Sequence, residues 1–574
     1  MFKKSKIIIY IVLLALFLRL IFLDRIPTGI SNDEYYFVLN AKSVFYNFLI
    51  LVTKGWNNEI FHEILKSINS ETSILLMAPF MGILPSSMFF IRLPYVIVGV
   101  LTIYLIYKIT QKYTKNINLA LLTALLFAIN PWSIYVNRTS FDAPVALFFF
   151  VLTMYLQSFP RRWYIVFSAL TSLFAFNGYI GTKVIYLPFM IFVSFYSWKI
   201  IHHKKFTKLF IFNVLFAVSI TVQFLLNLSG SSISNRKSEL ALPSSDSIVN
   251  EVISERNQSL VTPFNTIFTN RYTIYARNFI NKYLYNFSTD ILFLDGDHTF
   301  MISLWKMGYF YYIDIFLLIF GLIYLFNHHR SFLYLLSLLI MLSPIPESIR
   351  IDKLPSYAFH SSFQYPFLMI VLGAGTLQFW QLAKSKILKF LFVFIYSLLF
   401  INFIDIYFNK YPIYQPEGFF ISRRLVSNYV KHEQANMTPI YIATNEPESL
   451  FRNYLFFTNQ YNYKNFSLIK NQYLLHPEKR FFQWGSITIS DKLPEKTQEN
   501  TTYILDSEIS ATSLSTDKYF SIYHLGDKRD LYKIYFGKTC IEKSSKENLP
   551  LTINDLRAES LTKNEFCQKF VSIR

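Results

Sequence analysis

Repeated apolar segments of about 20 residues are the feature that most constrains what this chain can fold into. Residues 88–109, 208–228 and 387–407 are examples, each long enough to cross the hydrocarbon of a bilayer as a helix. Only 16% of the 574 residues are charged, whereas soluble domains average roughly 25%. The sequence therefore predicts a polytopic α-helical membrane protein, because a soluble fold of this composition would have to hide too much apolar surface.

The apolar segments and the charges between them predict a topology. Hydropathy indicates about eleven membrane helices, beginning with a retained signal anchor. The predicted spans are 1–23, 88–109, 117–135, 143–157, 163–176, 184–198, 208–228, 307–326, 331–344, 363–382 and 387–407. Lys and Arg concentrate in alternate short loops, which places the N-terminus in the cytoplasm of a plasma-membrane protein and the C-terminal region outside. These loops account for the net charge of +19 without nucleic acid as a partner.

The composition changes near residue 409, which predicts two domains. Residues 1–408 form a transmembrane module with outside loops at 24–87 and 229–306, and 409–574 form an extracytoplasmic α/β or α+β domain. Alternating stretches at 439–444 and 486–490 predict strands. Cys540 and Cys567, the only cysteines, both fall in this domain. A disulfide and two unpaired buried thiols both remain open, since sequence spacing does not give distance.

The first candidate site is the adjacent pair Asp33-Glu34, in the predicted outside loop 24–87. Two carboxylates at a membrane surface suit acid/base chemistry, although a solvated acidic loop is the simpler interpretation. A short amphipathic interfacial helix is predicted around Trp56 to Glu63 in the same loop.

Two further candidates lie at predicted outside helix junctions. Arg138 and Asp142 are four residues apart, which suits either a helix-end ion pair or an anion site with a carboxylate beside it. Lys183 follows two glycines in the segment 177–183, where it offers either a phosphate contact or an interfacial lysine.

The long loop 229–306 holds the last candidates. Arg236 and Arg271 lie in basic, aromatic stretches on the side where positive charge is unusual, which an anionic lipid headgroup or diphosphate would explain. Asp297 and His298, with Asp295, offer ligands for a divalent cation, although one short cluster is weak support for a metal. A Walker loop, a dinucleotide fingerprint and a serine nucleophile elbow do not occur in the sequence.

Taken in order, these motifs resemble a known family. The matching pieces are Asp33-Glu34, Arg92-Leu93-Pro94, Asn130-Pro131-Trp132 through Asp142, Tyr179 through Pro188, and Asn286-Phe287-Ser288 through Asp297. Together they resemble the polytopic GT-C glycosyltransferases, in particular the bacterial branch of the protein O-mannosyltransferase and aminoarabinose-transferase-like family. The resemblance covers roughly residues 1–407 and leaves the C-terminal domain without a quoted motif.

The resemblance implies a sugar donor linked to polyprenyl phosphate. It implies Asp33 as general base with Glu34 beside it, and Asp142 as a second acidic position. Arg138 and Lys183, with Arg236 and Arg271 of the long loop, are the predicted donor-phosphate contacts. Tyr35, Tyr179, Asp297 and His298 are the predicted substrate-loop residues. The family's arginine before the tenth helix is absent here, and His360 or Arg350 is its candidate substitute.

The predicted activity is an inverting transfer of a sugar to an extracytoplasmic hydroxyl. The acceptor is a glycan, a lipid or a protein, and the membrane lipid is a further partner. A divalent cation is the one candidate cofactor, and the sequence does not give the need for it. The alternatives are a non-enzymatic lipid or solute transporter and a membrane-anchored binding protein. Transporters place ionisable residues near the bilayer midplane and show internal repeats, whereas the notable charges here gather at helix ends.

Overall fold

The computed structural model describes residues 2–68, 72–227, 243–299, 301–350, 359–470, 479–498, 500–510, 514, 518–543 and 548–574. The helices before residue 230 are α1 (Phe2–Leu20), α2 (Asn32–Lys54), α3 (Asn58–Ile68), α4 (Thr72–Ile83), α5 (Met88–Thr114), α6 (Ile117–Ile129), α7 (Pro131–Val136), α8 (Ala143–Gln157), α9 (Arg162–Phe176), α10 (Lys183–Tyr196) and α11 (Thr207–Asn227). They are followed by α12 (Asp246–Asn257), α13 (Asn265–Phe268), α14 (Arg271–Tyr285), α15 (Asp314–His328), α16 (Arg330–Leu342), α17 (Ile345–Ser348), α18 (Tyr365–Leu382) and α19 (Lys386–Asp405).

Apolar helices dominate this N-terminal part. Within the described residues, six helices are long and apolar enough to cross a membrane: α2, α5, α10, α11, α16 and α19, some of them extended by the turn that follows. Shorter apolar helices are α4, α6, α8, α9 and α15. The protein is therefore a multi-pass, mainly helical membrane protein, as the sequence predicted. The number of spans and the side on which each end lies stay predictions.

The predicted outside loop at 24–87 is mostly helical in its described residues. Its first helix, α2, begins directly at the acidic pair and has a membrane helix's length and hydropathy. The predicted interfacial helix around Trp56 is α3, where the indole packs 4.8 Å from the Phe61 ring. Hydropathy did not predict α2 as a membrane helix, because the two acidic residues at its start lower the local hydropathy. The same charges stabilise the N-terminus of the helix.

Small residues bring α15 and α18 into close contact. A Cβ on Gly375 would lie 1.7 Å from the Leu317 carbonyl oxygen, and one on Gly321 would lie 1.9 Å from that of Val371. Close backbone approach at glycines is a common way for helices to pack in membranes. This contact joins the middle of α18 to the first half of α15.

The C-terminal part contains a mixed sheet. Its elements are α20 (Tyr411–Tyr414), α21 (Ile421–Glu433), β1 (Ile440–Ala443), α22 (Pro447–Phe457), α23 (Phe466–Ile469), β2 (Phe481–Trp484), β3 (Ile487–Ser490), β4 (Thr502–Asp506), β5 (Phe520–Tyr523), β6 (Asp530–Tyr535), α24 (Lys563–Phe570) and β7 (Val571–Ile573). The strand order is β2-β3-β1-β4-β6-β5-β7. Strand β1 runs parallel to β3 and β4, and the outer pairs are antiparallel. Both predicted strands, β1 and β3, are confirmed.

The two cysteines form a disulfide. Cys540 and Cys567 are bonded, with their Cα atoms 5.5 Å apart. The alternative of two unpaired thiols is therefore excluded. Disulfides persist mainly in oxidising compartments, which agrees with the predicted placement of this domain outside the cytoplasm. The predicted domain boundary at 408 falls inside a π-helical turn, Ile406–Lys410, that directly continues α19.

Candidate active site

Glu34 is a buried structural carboxylate. Ser31 caps the N-terminus of α2 and Glu34 completes the capping box, because its Oε2 accepts the Ser31 N–H at 3.0 Å. Its Oε1 accepts the Ser140 N–H at 2.9 Å and the Arg92 Nε–H at 3.3 Å. The side chain is fully buried and both oxygens meet fixed donors. A carboxylate held in this way is poorly placed to take a proton from a substrate.

Arg92 holds the acidic turn from α5. Its Nη1 donates to the carbonyls of Leu23 and Pro27 at 3.3 and 2.9 Å, and its Nη2 donates to that of Gly29 at 2.5 Å. Arg92 is fully buried, so its pairing with Glu34 compensates a charge that would otherwise be costly. Arg92, which the sequence indicated only as part of a motif, is thus the partner of the acidic turn.

Asp33 differs from its neighbour because it is exposed. It lies in the first turn of α2, where the helix dipole stabilises the ionised carboxylate. The preceding residue, Asn32, accepts hydrogen bonds from Arg423 at 3.1 Å and from Ser449 at 3.2 Å. The predicted pair therefore divides into a fixed carboxylate and an accessible one, and only the accessible one can meet a substrate.

Arg138 does not face a site. All its donors point at backbone or at Tyr407, whose hydroxyl accepts from Nε at 3.2 Å. The carbonyls that accept from its Nη1 and Nη2 are those of Leu18, Arg19, Ile21, Phe22 and Ile26. Since Arg138 is also fully buried, it serves as a cap for the C-terminal end of α1. This geometry argues against the predicted donor-phosphate contact of Arg138.

A cationic cluster, hereafter the His360 cluster, consists of Tyr179, Lys282, Arg350 and His360. Arg350 Nη1 lies 2.7 Å from His360 Nε2, and His360 Nδ1 lies 3.0 Å from the Tyr179 hydroxyl. Lys282 Nζ donates to the Arg350 carbonyl at 2.9 Å. Burial lowers the pKa of His360 well below its ordinary value, and the charges of Arg350 and Lys282 lower it further. The imidazole is therefore neutral, and its Nε2 accepts from Arg350.

The acidic turn and the His360 cluster lie at the same end of the helical bundle. Glu34 accepts from Ser140, and the next residue, Phe141, packs its ring 4.4 Å from that of Phe359. His360 follows Phe359 directly. A short series of contacts thus connects the turn that carries the exposed carboxylate to the His360 cluster, although more than 300 residues separate Glu34 from His360 along the chain.

Two further predicted residues lie near this connection. Asp142 follows Phe141 and is half-buried at the start of α8. Lys183 begins α10, where its ammonium lies 5.3 Å from the Phe176 ring centre and 5.2 Å from that of Phe224. Lys183 is largely buried, so its cation is stabilised in part by aromatic faces.

The remaining predicted residues do not gather at the acidic turn. Tyr35 is fully buried, with its ring edge-on to Phe456 at 5.8 Å, so it packs the core and is not a substrate-loop residue. Asp297 is buried and accepts from the backbone and hydroxyl of Thr299. His298 is exposed and pairs with Asp290 at 3.0 Å.

The last predictions concern the two loop arginines, Arg236 and Arg271, and the divalent cation. Arg271 is exposed at the start of α14, away from the contacts above, and Arg236 lies outside the described residues. Within the described part of the chain, no group of three His, Cys, Asp or Glu side chains is arranged to hold a metal ion.

The C-terminal domain docks on the acidic turn, which the sequence did not indicate. Arg424 donates from Nη1 to the Thr28 carbonyl at 2.6 Å, and it forms a bidentate pair with Glu559 at 2.6 Å. Arg423, its neighbour on α21, contacts Asn32 as described above. The adjacent arginines were the signal that the sequence offered, because arginine is rarely buried unless it is paired. A cavity of about 490 Å³ opens beside this contact.

Comparison with known proteins finds matches among solved structures. No family model and no curated protein matches the chain. Two solved structures of ArnT from Cupriavidus metallidurans, one bound to undecaprenyl phosphate and one in the apo state, align with 92% of this chain and 97% of theirs. The identity is 11% and the TM-score 0.43 in both alignments. At that level the similarity by itself assigns this chain neither a fold nor an activity.

Proposed function

We propose that this protein is a membrane glycosyltransferase that moves a sugar from a polyprenyl-phosphate donor to an extracytoplasmic acceptor hydroxyl. The observation that carries the proposal is the position of one exposed carboxylate, Asp33, at the same end of the bundle as the His360 cluster. Sugar transfer from a lipid phosphate needs these two groups, a base for the acceptor and cations for the leaving phosphate.

Asp33 is the proposed general base. An acceptor hydroxyl becomes a nucleophile when its proton passes to a carboxylate as the oxygen attacks the anomeric carbon. The new bond forms as the bond to the phosphate oxygen breaks, so a single in-line displacement inverts the anomeric centre. Glu34 supports this role by fixing the helix turn that carries Asp33. Asp142 is the proposed second acidic residue.

The His360 cluster is the proposed site of the leaving phosphate. Negative charge grows on the phosphate as the sugar departs, and Arg350 and Lys282 bring positive charge to the region. Arg350 replaces the arginine that the sequence lacks immediately before α18. Lys183 stays a proposed further contact, whereas Arg138 does not.

The test uses purified protein in nanodiscs with a panel of polyprenyl-phosphate sugars and candidate acceptor hydroxyls. Mass spectrometry follows the sugar from donor to product. We expect at least one donor to lose its sugar in the presence of wild-type protein and not in that of Asp33→Asn. A transporter would instead move the intact lipid or solute between compartments and leave the sugar–phosphate bond unbroken.

A further inference from the structure

Apolar side chains form an exposed stripe at four-residue intervals through α13 and α14. Its members are Phe264, Phe268, Tyr272, Ala276, Ile280 and Leu284, hereafter the apolar stripe. Leu260 and Val261 lie just before it at the tip of the segment, and they are 88% and 98% exposed. Proteins rarely leave a contiguous apolar surface of this kind open to water, so it needs a partner.

The opposite side of α14 is polar and already has its partner in the fold. Arg277 contacts Glu251 at 3.1 Å and also pairs with Glu255, both on α12. Asn278 donates to Glu251 at 2.8 Å. Helix α14 therefore packs its polar face on α12 and turns its apolar face outward. This is the arrangement of a helix that lies in a bilayer interface.

Polar side chains of the tip form internal hydrogen bonds with its backbone. Asn265 donates to the Leu260 carbonyl at 2.9 Å, and Arg256 donates to the Thr269 carbonyl at 2.9 Å. Asn270 caps α14 with both of its reciprocal bonds in place. Internal hydrogen bonding matters because unpaired backbone groups would oppose entry into an apolar environment.

The apolar stripe is continuous with a membrane helix. Tyr283 donates to the carbonyl of Met341 at 2.8 Å, near the end of α16. Met341 and Leu338 are 59% and 42% exposed on that helix, which is one of those long and apolar enough to cross a membrane. The C-terminal end of α14 therefore lies beside the C-terminal end of α16.

The charges near the stripe identify the kind of surface it fits. Arg271 is exposed beside Tyr272 at the start of α14, and residues 257–289 contain no acidic residue. A cation beside an apolar helix face favours a membrane with anionic headgroups. We propose that α14 and its tip lie in the interface of the bilayer that the apolar helices cross, with the apolar stripe and Val261 among the lipids.

A fluorescent label at the tip tests this placement directly. Both native cysteines are in the disulfide, so Val261→Cys gives a single labelling site for an environment-sensitive dye. The matched control is Met437→Cys in the C-terminal domain, because Met437 is 94% exposed, nearly the same as Val261. Both labelled proteins are placed in nanodiscs with anionic phospholipid, with and without lipid spin-labelled near the headgroup.

We expect the spin-labelled lipid to quench the dye at 261 by about twofold or more and the dye at 437 hardly at all. Adding Phe264→Ser and Phe268→Ser should weaken the quenching at 261, and the exposure of both rings makes these changes mild for folding. Equal quenching at the two positions would overturn the proposal. The proposal would also fail if the dye at 261 became shielded from solvent in detergent, increasingly so at higher protein concentration. That result would indicate that a second copy of the chain covers the apolar stripe.

Discussion

Adjacent residues in the first turn of α2 have opposite environments. Successive helix positions are turned by about 100°, so Glu34 enters the bundle while Asp33 stays exposed. For the proposed chemistry this difference is decisive, because only Asp33 can approach an acceptor. We expect Asp33→Asn to lower transfer by about 10²–10⁴ and to leave folding intact. Turnover of a polyprenyl-phosphate sugar, measured beside the melting temperature, checks both parts.

Glu34→Gln is predicted to lower the stability of the fold, whereas Asp33→Asn is predicted to lower transfer. The change leaves Arg92 buried without its carboxylate, and losing one partner of a buried pair costs on the order of 3–5 kcal/mol. We therefore expect a clear fall in melting temperature and in the yield of folded protein. A variant as stable as wild type but inactive would instead make Glu34 the base.

Arg350 gives the third residue-scale prediction. If the His360 cluster meets the leaving phosphate, Arg350→Ala removes a positive charge from the transition state, and one such donor is worth about 10²–10³ in rate. Arg350→Lys is the matched control, because it keeps the charge while it loses the planar geometry. Values of kcat/KM should fall in the order wild type, lysine, alanine. Unchanged values in the alanine variant would remove the cluster from the mechanism.

At the scale of elements, one carboxylate ties helix α21 to the sheet. Glu433 accepts the N–H of Lys538 and of Thr539 at 2.8 Å each, and the hydroxyl of Thr502 at 3.0 Å. Burial alone would raise its pKa, but the hydrogen bonds from Thr539, Lys538 and Thr502 lower it below the ordinary value. The ionised form is thus favoured in the folded state.

This lowered pKa predicts a stability that depends on pH. A folded-state pKa below the unfolded one contributes stability that is present above about pH 4.5 and is lost as the pH falls through the folded value. We expect wild-type thermal stability to decline in acid more steeply than that of Glu433→Gln, which should be less stable at neutral pH. Melting curves between pH 7 and the acid limit check this, and parallel curves would contradict it.

At the scale of the whole molecule, the C-terminal domain and the acidic turn form one unit. Arg424 is almost fully buried between the Thr28 carbonyl and Glu559. We expect Arg424→Ala to destabilise the protein by on the order of 3–5 kcal/mol and to speed hydrogen exchange in residues 24–34. Arg557→Ala is the matched control, since Arg557 is mostly exposed and pairs with Asp24 at 3.5 Å. Its effect should stay within about 1 kcal/mol.

This docking also bears on the alternative of a membrane-anchored binding protein. A tail that worked independently would need few contacts with the helices, yet Arg423 and Arg424 both reach the turn that carries Asp33. Deleting residues 409–574 would therefore remove support from the proposed site as well as the domain itself. Single substitutions at the contact separate the two effects better than deletion does.

The sequence by itself determined the class of the molecule. Apolar length predicted α1, α5, α6, α8 to α11, α15, α16, α18 and α19, and alternation predicted β1 and β3, because both signals depend on neighbours within one element. The residues of the site were predicted less well. Asp33 and Tyr179 belong to the proposed site and Asp142 lies beside it, whereas Arg138 and Tyr35 do not. The reason is that an arginine can also cap a helix and a tyrosine can also fill the core.

Only the tertiary structure decided which of these side chains remain available. Arg138 ends the first helix by meeting carbonyls of residues more than 100 positions away, and Glu34 meets a backbone N–H across a similar gap. Arg350 and His360 come together with Lys282 through the packing of separate helices. Such contacts join distant parts of the chain, so no local pattern records them, and the accessibility of a charge follows from them and not from its residue type.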